Sequence, residues 1–141
     1  MTITTGPADK MTIGVFKMIH DTVFTEKLSD EMYLLIKEGK EAIGLIAYMN
    51  GDVAVGCVAG KVDKKKFVVS SLAVLEAYRK MGAATELMKA AENLPKIDMI
   101  EVHAPTGNEA VNAILRNLQY QEGPKDGDNV VYTKKVQNKS K

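Results

Sequence analysis

The chain has 141 residues, enough for one domain that buries about 70% of its unfolded surface without help from a metal or a disulfide. Hydrophobic residues make up 45% and charged residues 26%, which excludes a disordered chain. A net charge of +1, a single cysteine (Cys57) and two histidines (His20 and His103) argue against a dedicated nucleic-acid binder, a disulfide framework and a Cys- or His-built metal site.

Residues 1–10 read as a loose polar leader and 137–141 as a frayed tail. The apolar residues of 11–19 fit a first strand or the start of a helix, and the pattern leaves both open. Ser29-Asp30-Glu31 predicts a helix start and Gly39 its stop. Residues 42–49 predict a strand, Asn50-Gly51 a hairpin turn, and 53–62 the partner strand. Lys64-Lys65-Lys66 reads as a solvated turn before a strand at 67–75. The spacing of Ala83, Ala84, Leu87, Met88, Ala90 and Ala91 predicts a helix over 79–93, ended by Pro95. A short strand follows at 99–104. Thr106 and Glu109 match a capping box for a helix whose buried stripe is Ala110, Val111, Ile114, Leu115 and Leu118. Tyr120-Gln121 and residues 130–136 read as closing strands joined by a Gly/Asp-rich loop at 123–129. An antiparallel meander thus runs into one parallel crossover, a mixed α/β single-sheet architecture in one domain.

No apolar run is long enough to cross a bilayer, and Met1 to Lys10 holds no apolar signal core. With one free cysteine, a reducing intracellular compartment is expected, cytoplasmic or nuclear. Lys134, Lys135, Lys139 and Lys141 make a basic C-terminal end, too slight against the net charge to predict a specific nucleic-acid partner. Cys57, in mid-strand, reads as a small core residue.

The informative stretch runs from Leu72 to Ala84, a strand, a turn and a helix start. Small residues at Gly82, Ala83 and Ala84 allow close approach to the backbone. Unpaired first-turn N–H groups and the helix dipole favour an anion there, and Arg79 and Lys80 add charge. This fits a phosphate or pyrophosphate site or, equally, an ordinary helix start with solvated basic residues. Neither the glycine-rich dinucleotide loop nor the P-loop pattern is present.

Arg79-x-x-Gly82-x-Ala84, the strand ending Leu72-Ala73-Val74, the Tyr78-Arg79 pair and Asn108 opening a helix after a short strand resemble the GNAT acetyltransferases over about residues 11–136. Within that family, Val23-Phe24, Ala47-Tyr48-Met49-Asn50, Val53-Ala54-Val55-Gly56, Lys61-Val62-Asp63, Val102-His103 and Asn108-Glu109 resemble the type E catalytic subunit of the N-terminal acetyltransferases. The resemblance implies a mostly antiparallel sheet with the strands at 67–75 and 99–104 parallel and splayed around acetyl-CoA, flanked by about four helices. It implies acetyl-CoA as cosubstrate and no metal. Leu72, Ala73 and Val74 would meet the pantetheine arm, with the Val74 N–H polarising the thioester carbonyl. Arg79, Lys80, Met81, Gly82, Ala83, Ala84 and Thr85 would hold the pyrophosphate, and Asn108 would reach the CoA arm.

His103 sits where the type E enzymes carry a catalytic histidine, and an imidazole suits proton removal from an amine. The other reading of His103 is a histidine that satisfies backbone at a strand end. The family's partner tyrosine is Val68 here, and its helix tyrosine aligns with Leu115, so neither aid to proton transfer is present. Ser70 or Ser71 would then be left to position a water. Phe24, Thr25 and Glu26 occupy the place of the family's peptide-gripping loop, with Glu26 a carboxylate near the entering amine. Tyr132 would cover the peptide backbone, although Phe24 and Tyr132 suit a core role as well. The implied reaction is acetyl transfer to the α-amino group of protein N-termini, Met-starting ones among them, or to lysine side chains. Partners would be the peptide and subunits of an N-terminal acetyltransferase complex. The alternatives are a small-amine acetyltransferase and a weakly active CoA-binding accessory subunit.

Overall fold

The computed structural model describes residues 2–24 and 28–136. Seven strands and four helices follow in the order β1 (Ile3–Pro7), α1 (Ile13–Val23), α2 (Asp30–Glu38), β2 (Ala42–Met49), β3 (Val53–Asp63), β4 (Lys66–Val74), α3 (Ala83–Glu92), β5 (Met99–Pro105), α4 (Glu109–Asn117), β6 (Gln121–Asp126) and β7 (Asn129–Lys135). They build one sheet ordered β1-β2-β3-β4-β5-β7-β6, antiparallel throughout except for β4 beside β5. This is the mixed α/β arrangement expected from the sequence.

The local chemistry explains most elements. Phe16, Ile19 and His20 are buried at helical spacing while Val15 is exposed, so the ambiguous 11–19 segment is a helix. Asp9 Oδ1 accepts from the Met11 and Thr12 N–H groups ahead of it. Ser29 caps α2 by accepting from Met32 N, and Gly39 ends it in the left-handed region. Asn50 and Gly51 both take positive φ, the hairpin turn their sequence predicts.

Several expectations need correction. The supposed leader contains β1, which pairs with β2 from Ile3–Met49 to Pro7–Leu45; as an edge strand it tolerates Pro7. The cap of α4 is Asn108, whose Oδ1 accepts from Val111 N, and not Thr106. Helix α3 begins at Ala83, because one 3-10 turn at Glu76–Tyr78 and an extended Arg79 intervene. The 123–129 loop is shorter than expected, since β6 continues to Asp126 past an irregularity between Glu122 and Lys125. Of the lysine run, Lys64 turns the chain at φ 60° but Lys66 opens β4 and pairs with Glu101. Lys134 likewise binds Glu92 and the Leu118 carbonyl instead of projecting into solvent.

The core has two parts, one on each face of the sheet. Leu87, Met88 and Ala91 of α3 and Leu115 of α4 pack with Phe67, Val69, Ile100 and Tyr132. Phe16, Ile19, Tyr33 and Ile36 from α1 and α2 pack on Ile46, Cys57 and Ala73. Burial pushes the Cys57 thiol up to about 12, so it is an inert core residue. Among the described residues no helix is long and apolar enough to cross a membrane, and no group of acidic, histidine or cysteine side chains is placed to hold a metal ion.

Candidate functional site

The site arises where the sheet comes apart. β4 and β5 pair only from Lys66–Met99 to Val69–Val102, while β4 runs on to Val74 and β5 to Pro105. Beyond Val69 the two strands have no ladder between them. The departure coincides with a register shift in the β3–β4 ladder, where Ala59 pairs Ser71 but Gly60 pairs Val69, leaving Ser70 as the extra residue. Gly60 makes this possible, because a Cβ there would lie 2.2 Å from the Val68 carbonyl oxygen. The Ser70 hydroxyl donates to the Ala59 carbonyl at 3.3 Å.

Past the bulge, β4 is held to β3 on one side only. Leu75 N donates to Val55 O, so by antiparallel alternation Ala73 and Ser71 also direct their backbone groups to β3. The N–H and C=O groups of Leu72 and Val74 then face the opening. The Arg79 Nε–H donates to the Val74 carbonyl at 3.1 Å, which agrees with that orientation and leaves the Val74 N–H for another partner.

Two cavities fill the opening, and Phe24, Leu72, Asn108 and Val111 line both. The first, about 520 Å³, lies between β4 and the starts of α3 and α4. Val74, Arg79, Lys80, Gly82, Ala83, Ala84 and Thr85 line it. Lys80 and Gly82 take positive φ, and Gly82 offers no side chain to cap α3. The first backbone donation inside this helix is Glu86 N to Gly82 O, so the N–H groups of Ala83, Ala84 and Thr85 have no intrahelical partner. This chain therefore presents a row of amide donors, a helix dipole and two basic side chains to one cavity, a chemistry that fits a pyrophosphate. Two expected members are elsewhere: Ala73 is buried against the α1–α2 side, and Met81 is exposed and lines neither cavity.

The second cavity, about 450 Å³, reaches from Phe24 to Asn129 across the ends of β4 and β5. Val68, Ser70, Ser71 and His103 line it. The Ser71 hydroxyl is buried with no partner among the described residues, and so is Nδ1 of His20, whose ring lies 4.7 Å from that of Phe24. Burial holds His20 below the usual imidazole range. His103 is about one-third exposed, and its Nε2 lies 2.6 Å from Glu101 Oε2. That hydrogen bond, with help from Lys66, holds the Glu101 carboxyl below the usual range against the opposing effect of burial.

Thr25 and Glu26 lie outside the described residues. Tyr132 is not at the cleft: it is fully buried on the α4 side, and its hydroxyl donates to Asn112 Oδ1 at 2.6 Å. Val131, not Tyr132, pairs opposite His103. Leu115 likewise points into the core, while Ala110, Val111 and Ile114 of α4 line the first cavity. Asn112 escaped the sequence reading. Its amide donates to the carbonyls of Pro105 and Asn108 at 3.0 and 2.6 Å, so the buried Tyr132–Asn112 pair sets the turn that presents Asn108. Glu101 also escaped it, although a period-2 reading of β5 puts Glu101 and His103 on one face.

Residues 12–116 match the acetyltransferase (GNAT) family. N-alpha-acetyltransferase 50 of Danio rerio is 28% identical over 113 residues; the match covers 74% of this chain and 66% of that protein, just under two thirds of its length. Two solved structures from Arabidopsis thaliana share the fold. NAA60 in complex with a bisubstrate analogue superposes with a TM-score of 0.75 at 17% identity, covering 97% of this chain and 99% of the other. Naa50 in complex with the bisubstrate analogue CoA-Ac-MVNAL superposes with a TM-score of 0.75 at 18% identity, covering 95% and 99%.

Proposed function

The chain belongs to the acetyltransferase (GNAT) family, and from that premise we propose that it transfers the acetyl group of acetyl-CoA to the α-amino group of a peptide or protein N-terminus. The observation that carries the reading is the splay of β4 from β5, which opens two connected cavities of different chemistry beside one strand edge. The 83–85 amides, Lys80 and Arg79 would hold the pyrophosphate, and the exposed edge of Leu72 and Val74 would hold the pantetheine arm. The acetyl thioester supplies an activated acyl carbon and a good leaving group when bound.

The chain's own residues do the rest. The Val74 N–H faces the opening and would donate to the carbonyl oxygen as negative charge develops there. Phe24 walls the junction of the two cavities. His103, on the second cavity, would accept the surplus proton of the amine, directly or through a water held by the unpartnered Ser71 hydroxyl. Val68 transfers no proton and leaves room beside His103. The curated relative is named as an N-alpha-acetyltransferase and the Naa50 analogue carries a Met-starting peptide, which supports an α-amino acceptor with Met first.

The test is CoA release, with mass spectrometry of the products, from purified protein, acetyl-CoA and a panel of amines. Peptides with varied first residues, N-terminally blocked lysine peptides and polyamines make up the panel. The expected product is a peptide acetylated at its α-amine. Turnover restricted to lysine peptides or to polyamines would replace the acceptor, and acetyl-CoA binding with no turnover would make the chain an accessory subunit.

A further inference from the structure

Glu101 lines neither cavity, and nothing in the proposed reaction uses it. Its placement is nevertheless specific. One carboxylate oxygen sits 2.6 Å from His103 Nε2, and the other accepts from Lys66 Nζ at 3.2 Å. Lys66 opens β4, so the carboxylate is tied to both strands at the end where they still pair. Val68 on β4 and Thr133 and Val131 on β7 flank Glu101 and His103, and none of them titrates. Among the described residues, Lys66 and His103 are the charged or titratable groups acting on Glu101.

An ionised carboxylate only accepts hydrogen bonds, so Nε2 carries the hydrogen and Nδ1 keeps its lone pair. Nδ1 has no hydrogen-bond partner among the described residues and is not a buried orphan, so it is open to solvent beside the cavity that His103 lines.

We propose that Glu101 is a positioning residue for His103: it holds the imidazole as the Nε2–H tautomer with Nδ1 presented to the incoming amine, and Lys66 keeps Glu101 in place. This rests on the reading of His103 as proton acceptor. When Nδ1 takes the amine's proton, both ring nitrogens carry hydrogen and the carboxylate faces a positive ring. The proton then leaves Nδ1 for solvent, and no co-reactant is needed. The division of labour is that of the carboxylate–imidazole pair of serine hydrolases, with the two ring nitrogens exchanged.

The experiment compares Glu101→Ala, Glu101→Gln, His103→Ala and the Glu101→Ala/His103→Ala pair in the full chain. CoA release is measured with acetyl-CoA and a Met-starting peptide, and nitrogen NMR reports the tautomer of His103. Glu101→Ala is expected to lower kcat roughly 10- to 100-fold with the KM for acetyl-CoA unchanged, the scale seen when a ligand's supporting carboxylate is removed. Glu101→Gln, whose amide oxygen still accepts from Nε2–H, recovers part of that rate. Glu101→Ala adds no further loss to His103→Ala, and NMR finds the Nε2–H tautomer in the wild type and a mixture in Glu101→Ala. An unchanged tautomer with a loss that persists in the His103→Ala background overturns the proposal alone. A His103→Ala variant at the wild-type rate overturns the proton-acceptor reading, and the proposal with it.

Discussion

The cavity beside α3 draws its chemistry from main chain, and the cavity across the ends of β4 and β5 draws its chemistry from side chains. The first takes its chemistry from the amides of residues 83–85 and the free edge of β4, which almost any small residue at those positions would supply. The second takes its chemistry from the side chains of His103, Ser71 and Phe24, of which His103 is held by Glu101 and Phe24 packs against His20. A backbone site fails when a residue is too large or wrongly charged. A side-chain site fails when a single supporting group is lost.

The variant expected to do the most damage strikes the feature that both halves share. Gly60→Ala places a methyl against the Val68 carbonyl, so the bulge or the register must move. The expected loss is about 3 kcal/mol, a fall in melting temperature on the order of 10 °C, with both acetyl-CoA binding and turnover impaired. A variant that melts normally and still turns over would show that the bulge does not set the splay.

Ala84→Asp separates stability from binding in the backbone half. A carboxylate in the first turn of α3 favours the helix by a few tenths of a kcal/mol. It also fills the cavity and repels a pyrophosphate, so calorimetry should show acetyl-CoA binding weakened on the order of 100-fold. Unchanged affinity would move the pyrophosphate away from α3.

Tyr132→Phe tests whether that residue belongs to the core or to the acceptor half. It leaves Asn112 Oδ1 buried without a donor, which costs about 1–2 kcal/mol in urea unfolding. The peptide KM is expected to stay within about threefold, since this amounts to less than 1 kcal/mol of binding. A large rise in KM would return Tyr132 to the substrate.

The smallest effect is in pH. Folding lowers the Glu101 carboxyl below its ordinary value of 4.5, so its contribution is present above that value. It is lost as pH falls through the lowered folded value. Acid-unfolding curves of the wild type and Glu101→Gln should therefore differ at neutral pH and converge below pH 4.5. Parallel curves would mean that the carboxyl is not held in its charged form.

The same contrast explains what was legible in the sequence. The backbone half announces itself in contiguous residues, Leu72 to Ala84, because a strand, a turn and a helix start are local events. The helix of α2 and the Asn50-Gly51 hairpin were legible for the same reason. Strand β1 was not, since Ile3-Thr4-Thr5-Gly6-Pro7 has no clean alternation and its partner lies some forty residues away. Tyr132 shows the limit of carrying a role across by resemblance, because the strand's alternation turns its side chain into the core. Asn112 acts through a contact with Tyr132 that only folding creates, so nothing in its neighbours' identity marks it, whereas Glu101 could have been found from the strand alternation that puts it beside His103.

The most direct test of the two-part cleft is His103→Ala, with acetyl-CoA affinity and single-turnover rate measured on the same preparation. The account predicts an unchanged acetyl-CoA affinity and a rate lower by about 10²- to 10⁴-fold, the range for loss of a general base. A wild-type rate, or a loss of acetyl-CoA binding, would contradict it.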